Sequence, residues 1–193
     1  MADEKYLNSK DEKLRNVAVK ALSQDNSISS LVKLMNILED DITARIAINS
    51  ISKIIENTPM YLKNIIIRFK KEENIKIKER LAEVLSVKIE YFIMKLTNAE
   101  EENSAEIIKQ ILLLGKTSGI IGFINKNRDI ETENALIKVI KSAVNEREEL
   151  KIEFGKYLNK RLLKKCKIPK YNLSDKVKEE KKVENVSSTL TKD

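Results

Sequence analysis

"DEKLRNVAVKAL" occupies residues 11–22 and "DDITARIAINSI" residues 40–51. Each places acidic residues ahead of an arginine and follows it with small or apolar residues at helical spacing, the pattern of a helix with one buried face. The apolar part of the pattern returns in "NIKIKERLAEVL" (74–85), "NSAEIIKQILLL" (103–114) and "IETENALIKVI" (130–140). Second segments of the same period lie between them: "SISSLVKLMNIL" (27–38), "PMYLKNIIIRF" (59–69), "KIEYFIMKL" (88–96), "SGIIGFINK" (118–126) and a long last helix near 146–167. Self-similarity at roughly 30 residues is the signature of stacked helical pairs, each unable to bury its apolar face alone.

The punctuation fits. Thr58 before Pro59 reads as an N-cap with proline at the first helical position, Asn98 with Glu101 and Asp129 with Thr132 offer further polar caps, and Gly115 stands where a helix should stop. Short connections make neighbouring helices antiparallel. The four Gly and two Pro leave too few turn residues for an all-β chain. These signals predict an all-α protein of about five antiparallel helix pairs over residues 11–168, preceded by a flexible stretch, 1–10. The charged tail, 169–193, has too few apolar residues from Asn172 onward to offset its ordering entropy and is expected to be disordered; Pro169 marks the end of the last helix.

An "R-x-x-A-x-x-A-L" core at a period near 30 resembles the HEAT-like repeats of bacterial and archaeal proteins. Arg15, Ala18, Ala21 and Leu22 match it most fully, Arg45, Ile48 and Ile51 in part, and later segments keep only the apolar spacing. The resemblance spans about residues 11–165 and implies an α-solenoid in which small residues let helices approach and an Arg with a preceding Asp ties one repeat to the next. It implies fold rather than activity.

The 193 residues carry 37 cationic and 30 acidic side chains, a net charge of +7. All seven excess charges sit in "KYLNKRLLKKCKIPK" (156–170), as Lys156, Lys160, Arg161, Lys164, Lys165, Lys167 and Lys170. On a continuous helix Phe154, Leu158, Leu162 and Cys166 would share one stripe and Lys156, Lys160, Lys164 and Lys167 another. Such a row suits a phosphate backbone over about four turns, extended by Lys63, Arg68, Lys70, Lys71, Lys76 and Lys78 if both patches share a face. It equally suits a solvated end cap for the stack, with lysines complementing the helix dipole. The excess of lysine over arginine favours non-specific attraction over base reading. Contact with an anionic membrane is disfavoured, since the apolar stripe lacks Trp and would have to leave the core.

The absent residues matter too. With no His and one Cys, no imidazole base, thiolate cluster or Ser-His pair exists, and no cofactor or metal is expected. "GKTSG" (115–119) lacks the spacing of a phosphate loop and reads as a turn with Thr117 or Ser118 as cap. DNA glycosylases acting on alkylated purines use such a stack, with aromatic side chains and a carboxylate in a channel. Here Phe69, Phe92 and Phe123 fall at core positions and Trp is missing. Cys166 reads as a packing residue rather than a lysine-activated thiolate. The lone cysteine, the absence of an apolar leader and the absence of a span of about 20 apolar residues indicate a cytoplasmic protein. The expectation is therefore a non-enzymatic scaffold or adaptor that binds another protein along the second helices, at Lys33, Asn36, Lys63, Asn64, Lys95 and Asn125. The alternative is a nucleic-acid-binding accessory protein using Lys156, Lys160, Arg161, Lys164, Lys165 and Lys167.

Overall fold

The computed structural model describes residues 4–97 and 101–171. The expected tail from Asn172 and the cap at Asn98 lie outside the described residues. Among those residues every regular element is helical: α1 (Glu4–Leu7), α2 (Glu12–Gln24), α3 (Ile28–Ile37), α4 (Ala44–Asn57), α5 (Leu62–Lys71), α6 (Ile75–Ser86), α7 (Ile89–Met94), α8 (Glu101–Leu113), α9 (Ser118–Lys126), α10 (Ile130–Glu146), α11 (Leu150–Tyr157) and α12 (Lys160–Cys166). Short 3-10 turns, Pro59–Tyr61 and Lys95–Thr97, lead into α5 and out of α7. No helix among the described residues is long and apolar enough to cross a membrane.

Side-chain caps set several of the starts. Asp11 Oδ1 accepts from the Lys13 amide at 2.8 Å, Ser27 Oγ from Ser30 at 3.2 Å, Asn74 Oδ1 from Lys76 at 3.1 Å and Asp129 Oδ2 from Thr132 at 2.8 Å. Thr58 departs from expectation. Pro59 does open the next segment, but it starts a 3-10 turn, and the Thr58 hydroxyl makes no cap bond. Gly115 ends α8 as expected. Its φ of +76° is the left-handed conformation a side chain would resist, and the Gly115 and Lys116 amides close on the carbonyls of Leu112 and Ile111 at 2.8 and 3.1 Å.

Packing follows a regular scheme. α2 lies against α4, α4 against α6, α6 against α8 and α8 against α10, while α3 meets α4, α5 meets α6, and α7 meets both α8 and α9. The helices of the first set carry buried small residues, Ala18, Ala47, Ala82 and Ala143, which permit close approach. One apolar cluster runs from Val19 to Ile168 without interruption. Each fully buried Ile or Leu contributes about 1.5–3 kcal/mol, whereas an exposed ion pair contributes about 0–1 kcal/mol, so burial decides stability and charge decides register.

Charged ties do recur between neighbouring segments. Arg15 reaches Asp40 at 3.3 Å, Arg80 donates to the Leu38 carbonyl and to Asp41, Lys76 pairs with Asp41 at 2.6 Å, and Lys116 with Glu83 at 3.1 Å. Arg45, the second arginine of the sequence pattern, is exposed instead.

Three boundaries differ from expectation. α1 packs on α2 and Leu7 joins the edge of the core, so residues 4–10 belong to the folded unit. The long last helix near 146–167 is two helices: Leu158 is extended (ψ 144°), and Asn159 starts α12 as a side-chain cap, accepting from the Leu162 amide at 3.0 Å. Asn125 of α9 fixes the break from outside. Its amide donates to the Tyr157 carbonyl at 2.9 Å, and its oxygen accepts from the Asn159 amide at 3.2 Å. Finally, the chain beyond α12 stays on the fold through Tyr171. Lys167 adopts φ 58°, Ile168 is buried, and the Tyr171 amide donates to the Gly155 carbonyl at 3.2 Å.

Gly155 is required for that last contact, because a Cβ there would stand 2.7 Å from the Pro169 carbonyl oxygen and 3.1 Å from the Tyr171 nitrogen. Gly155→Ala should therefore lift residues 169–171 from α11 and cost about 1–3 kcal/mol. Hydrogen exchange at the Tyr171 amide, together with the thermal midpoint, checks this; unchanged protection at Tyr171 would show that the strand of contacts is not held there.

Candidate functional site

The basic stretch and the second-helix face are the two surfaces that the sequence singles out. In the first, the cations do not form a row over four turns, because the helix breaks between Tyr157 and Lys160. Glu133 of α10, only 2% exposed, faces α12. Arg161 Nη1 donates to Glu133 Oε1 at 2.9 Å, its Nη2 donates to Oε2, and Lys165 Nζ donates to Oε1 at 2.6 Å. Burial raises the Glu133 pKa, but the bonds from Lys165 and Arg161 and their charges outweigh it, and the carboxyl is held below its ordinary 4.5. Two of the six candidate phosphate contacts are thus engaged with the protein itself. Lys167 forms the left-handed C-cap of α12, and Lys156 lies over the Tyr171 ring at 5.0 Å from its centroid. Lys160 and Lys164 are exposed.

The wider basic path is interrupted in the same way. Arg68 pairs with Glu72 at 2.7 Å, Lys76 is tied to Asp41, and Lys78 sits over the Phe69 ring at 5.7 Å. Cys166 is buried, and desolvation pushes its thiol up to about 11, so it is a packing residue.

The second-helix residues divide. Lys33 is half-buried and Asn36 exposed, and both border a depression shared with Arg15 and Asp40. Lys63 and Asn64 are exposed on adjoining sides of α5, Lys63 toward α7 and Asn64 toward α3. Lys95 is half-buried in a 3-10 turn with its ammonium 5.7 Å from the Tyr91 ring centroid. Asn125 is half-buried, and both ends of its amide bond the α11–α12 junction.

What the polar pattern missed is apolar. Met60 is 76% exposed, Ile67 44%, Tyr91 45% and Met94 66%. Met60, Ile67 and Tyr91, with Ile66 between, line a groove of about 950 Å³ between α5 and α7. Lys63, Lys70 and Lys88 border it, and no carboxylate is among the described residues that line it. Lys70 donates to Asn103 across one end. "NIIIR" contained a signal for this: three consecutive isoleucines point to three directions of a helix, so they cannot all face one core. Ile65 is buried, Ile66 half-buried and Ile67 exposed.

Among the described residues no group of His, Cys, Asp and Glu is arranged to hold a metal. Compared with protein-family models, curated proteins and solved structures, the chain matches none of them. Its functional reading therefore rests on these two surfaces.

The Glu133 tie makes Cys166 a reporter for α12. Glu133→Gln should weaken the docking of α12 by about 1–3 kcal/mol, a range set for bonds to a charged group. Cys166 alkylation, slow in the folded chain, should then accelerate about tenfold, which corresponds to about 1.4 kcal/mol of easier opening. Because the folded pKa of Glu133 is depressed, its contribution is full above 4.5 and fades as pH falls from there toward the folded value. Thermal midpoints should decline with acidification more steeply in the parent chain than in Glu133→Gln; parallel curves would remove this role.

Proposed function

We propose that the protein is a non-enzymatic, cytoplasmic scaffold or adaptor built as an α-solenoid of HEAT-like helix pairs, which grips a protein partner on the surface of its second helices. The reading of the fold is supported by the succession of α2, α4, α6, α8 and α10, each against the next, by the buried alanines on four of them, and by the arginine and lysine ties between segments. A row of this kind presents an extended surface made by the other helices.

The groove between α5 and α7 carries the functional reading. Large apolar side chains left in water cost free energy unless something covers them, and exposed Met60, Ile67 and Tyr91 share the lining of this one groove. Methionine and tyrosine adapt to partner surfaces better than stiff aliphatics do. Interaction by this groove requires no reactive group, which agrees with a chain lacking imidazole and having its one thiol buried.

Nucleic-acid binding by the last basic stretch has less support. Arg161 and Lys165 would have to leave a buried carboxylate before they met a phosphate, and doing so would strand that charge.

The test is a pull-down with the tagged full chain, with and without nuclease, comparing the parent, Ile67→Asp, and a Lys160→Glu, Lys164→Glu double variant. The expected outcome is a defined protein that survives nuclease, is lost with Ile67→Asp and is retained by the double variant. Material that disappears with nuclease and is lost only from the double variant would replace this reading by nucleic-acid binding.

A further inference from the structure

The geometry of the α5–α7 groove assigns it a partner chemistry: we propose that it receives an acidic amphipathic helical segment of another protein. This rests on the scaffold reading and narrows it to one site and one class of ligand.

Three observations converge. The floor is apolar and lies between two helices, with Ile66 and Ile67 from α5, Tyr91 from α7, and Met60 from the preceding turn. A groove between helices accepts the apolar stripe of an amphipathic helix, whose anchors recur at i, i+3 or i+4, and i+7. The border is cationic. Lys63 and Lys70 project from α5 and Lys88 lies at the start of α7. The described residues of the lining thus offer three ammonium groups and no carboxylate, an arrangement that attracts acidic side chains flanking an apolar stripe and repels basic ones. The neighbouring depression between α3 and α5 differs in kind: it sets Arg68 and Lys71 beside Glu72 and Glu73, so its charges largely compensate one another. Among the described residues, the lining of the α5–α7 groove has no such compensation.

Lysine suits such a border, since its butyl stem can rest on apolar surface while the ammonium head stays in water, where an acidic segment would meet it. No nucleic acid would use the floor in this way. It lacks the spaced aromatics on which successive bases stack, having Tyr91 alone among the lining residues.

The experiment uses the full chain and three fluorescent synthetic peptides of about 18 residues, roughly 27 Å as a helix. One has leucines at helical spacing flanked by glutamates; the second has lysines in place of the glutamates; the third is the acidic composition scrambled to abolish the stripe. Fluorescence anisotropy should show the acidic amphipathic peptide binding at least about tenfold tighter than either of the others, with the affinity falling as salt rises and screens the border. Lys63→Glu with Lys70→Glu should weaken it about tenfold, and Ile67→Asp by a similar factor. All three sites are exposed, so circular dichroism should be unchanged. Lys160→Glu with Lys164→Glu should leave the affinity as it is. Equal binding of acidic and basic peptides, binding insensitive to the groove variants, or loss only with the Lys160 and Lys164 changes would each overturn the assignment. A protein partner lost from the pull-down with Ile67→Asp, in a chain that ignores the acidic peptide, would leave the scaffold reading standing and remove this one alone.

Discussion

Close approach of successive first helices is the constraint on which the other features depend. α2, α4, α6, α8 and α10 succeed one another in contact, and four of the five, all but α8, bury an alanine among large aliphatics: Ala18, Ala47, Ala82 and Ala143. A larger residue at an alanine would push two helices apart and open the aliphatic contacts on either side, since interiors at crystal-like density have little room to adjust. With that row fixed, the remaining helices have limited freedom. α3, α5 and α7 each lie against the first helix that follows, and the floor between α5 and α7 is exposed because α6 and α8 draw the opposite sides of those helices inward.

Charge is used in two distinct ways. Between segments it sets register: Arg80 reaches back to Leu38 and Asp41, Lys116 to Glu83, and Arg147 to the Leu113 carbonyl, each connection fixing how one helix slides along another. Around the α5–α7 groove the described lining residues bring Lys63, Lys70 and Lys88 together with no carboxylate among them. The net charge of +7 conceals this division, because the stretch that holds the whole excess also holds Arg161 and Lys165, which are partnered by a carboxylate some 30 positions away in sequence.

The all-helical character and most helix starts were legible in the sequence because they depend on local chemistry: the apolar period and caps such as Ser27 and Asp129 act within one turn. The division of the last helix was not. "KYLNKRLLKKC" keeps an unbroken helical period, and what ends α11 is the amide of Asn125, which reaches it from α9. The same long-range origin hid the role of Glu133, which in sequence is one more acid in a first turn beside Glu131. Of the site, Lys63 was legible as a polar position on a second helix. Ile67 left a trace in the run of isoleucines at 65–67, which cannot all face one core, whereas Tyr91 and Met60 left none, because an exposed apolar residue in an amphipathic pattern has the same spacing as one that is buried a few degrees further round the helix.

Glu133 also decides what can lie on this flank of α10. Its carboxylate, 2% exposed, is met from α12 by the Arg161 guanidinium and the Lys165 ammonium. A purely aliphatic surface in the place of α12 would leave that charge buried and unpaired. Among the described residues this side of α10 is thus closed to the apolar stacking that joins α8 to α10, and it is covered by a cationic helix instead.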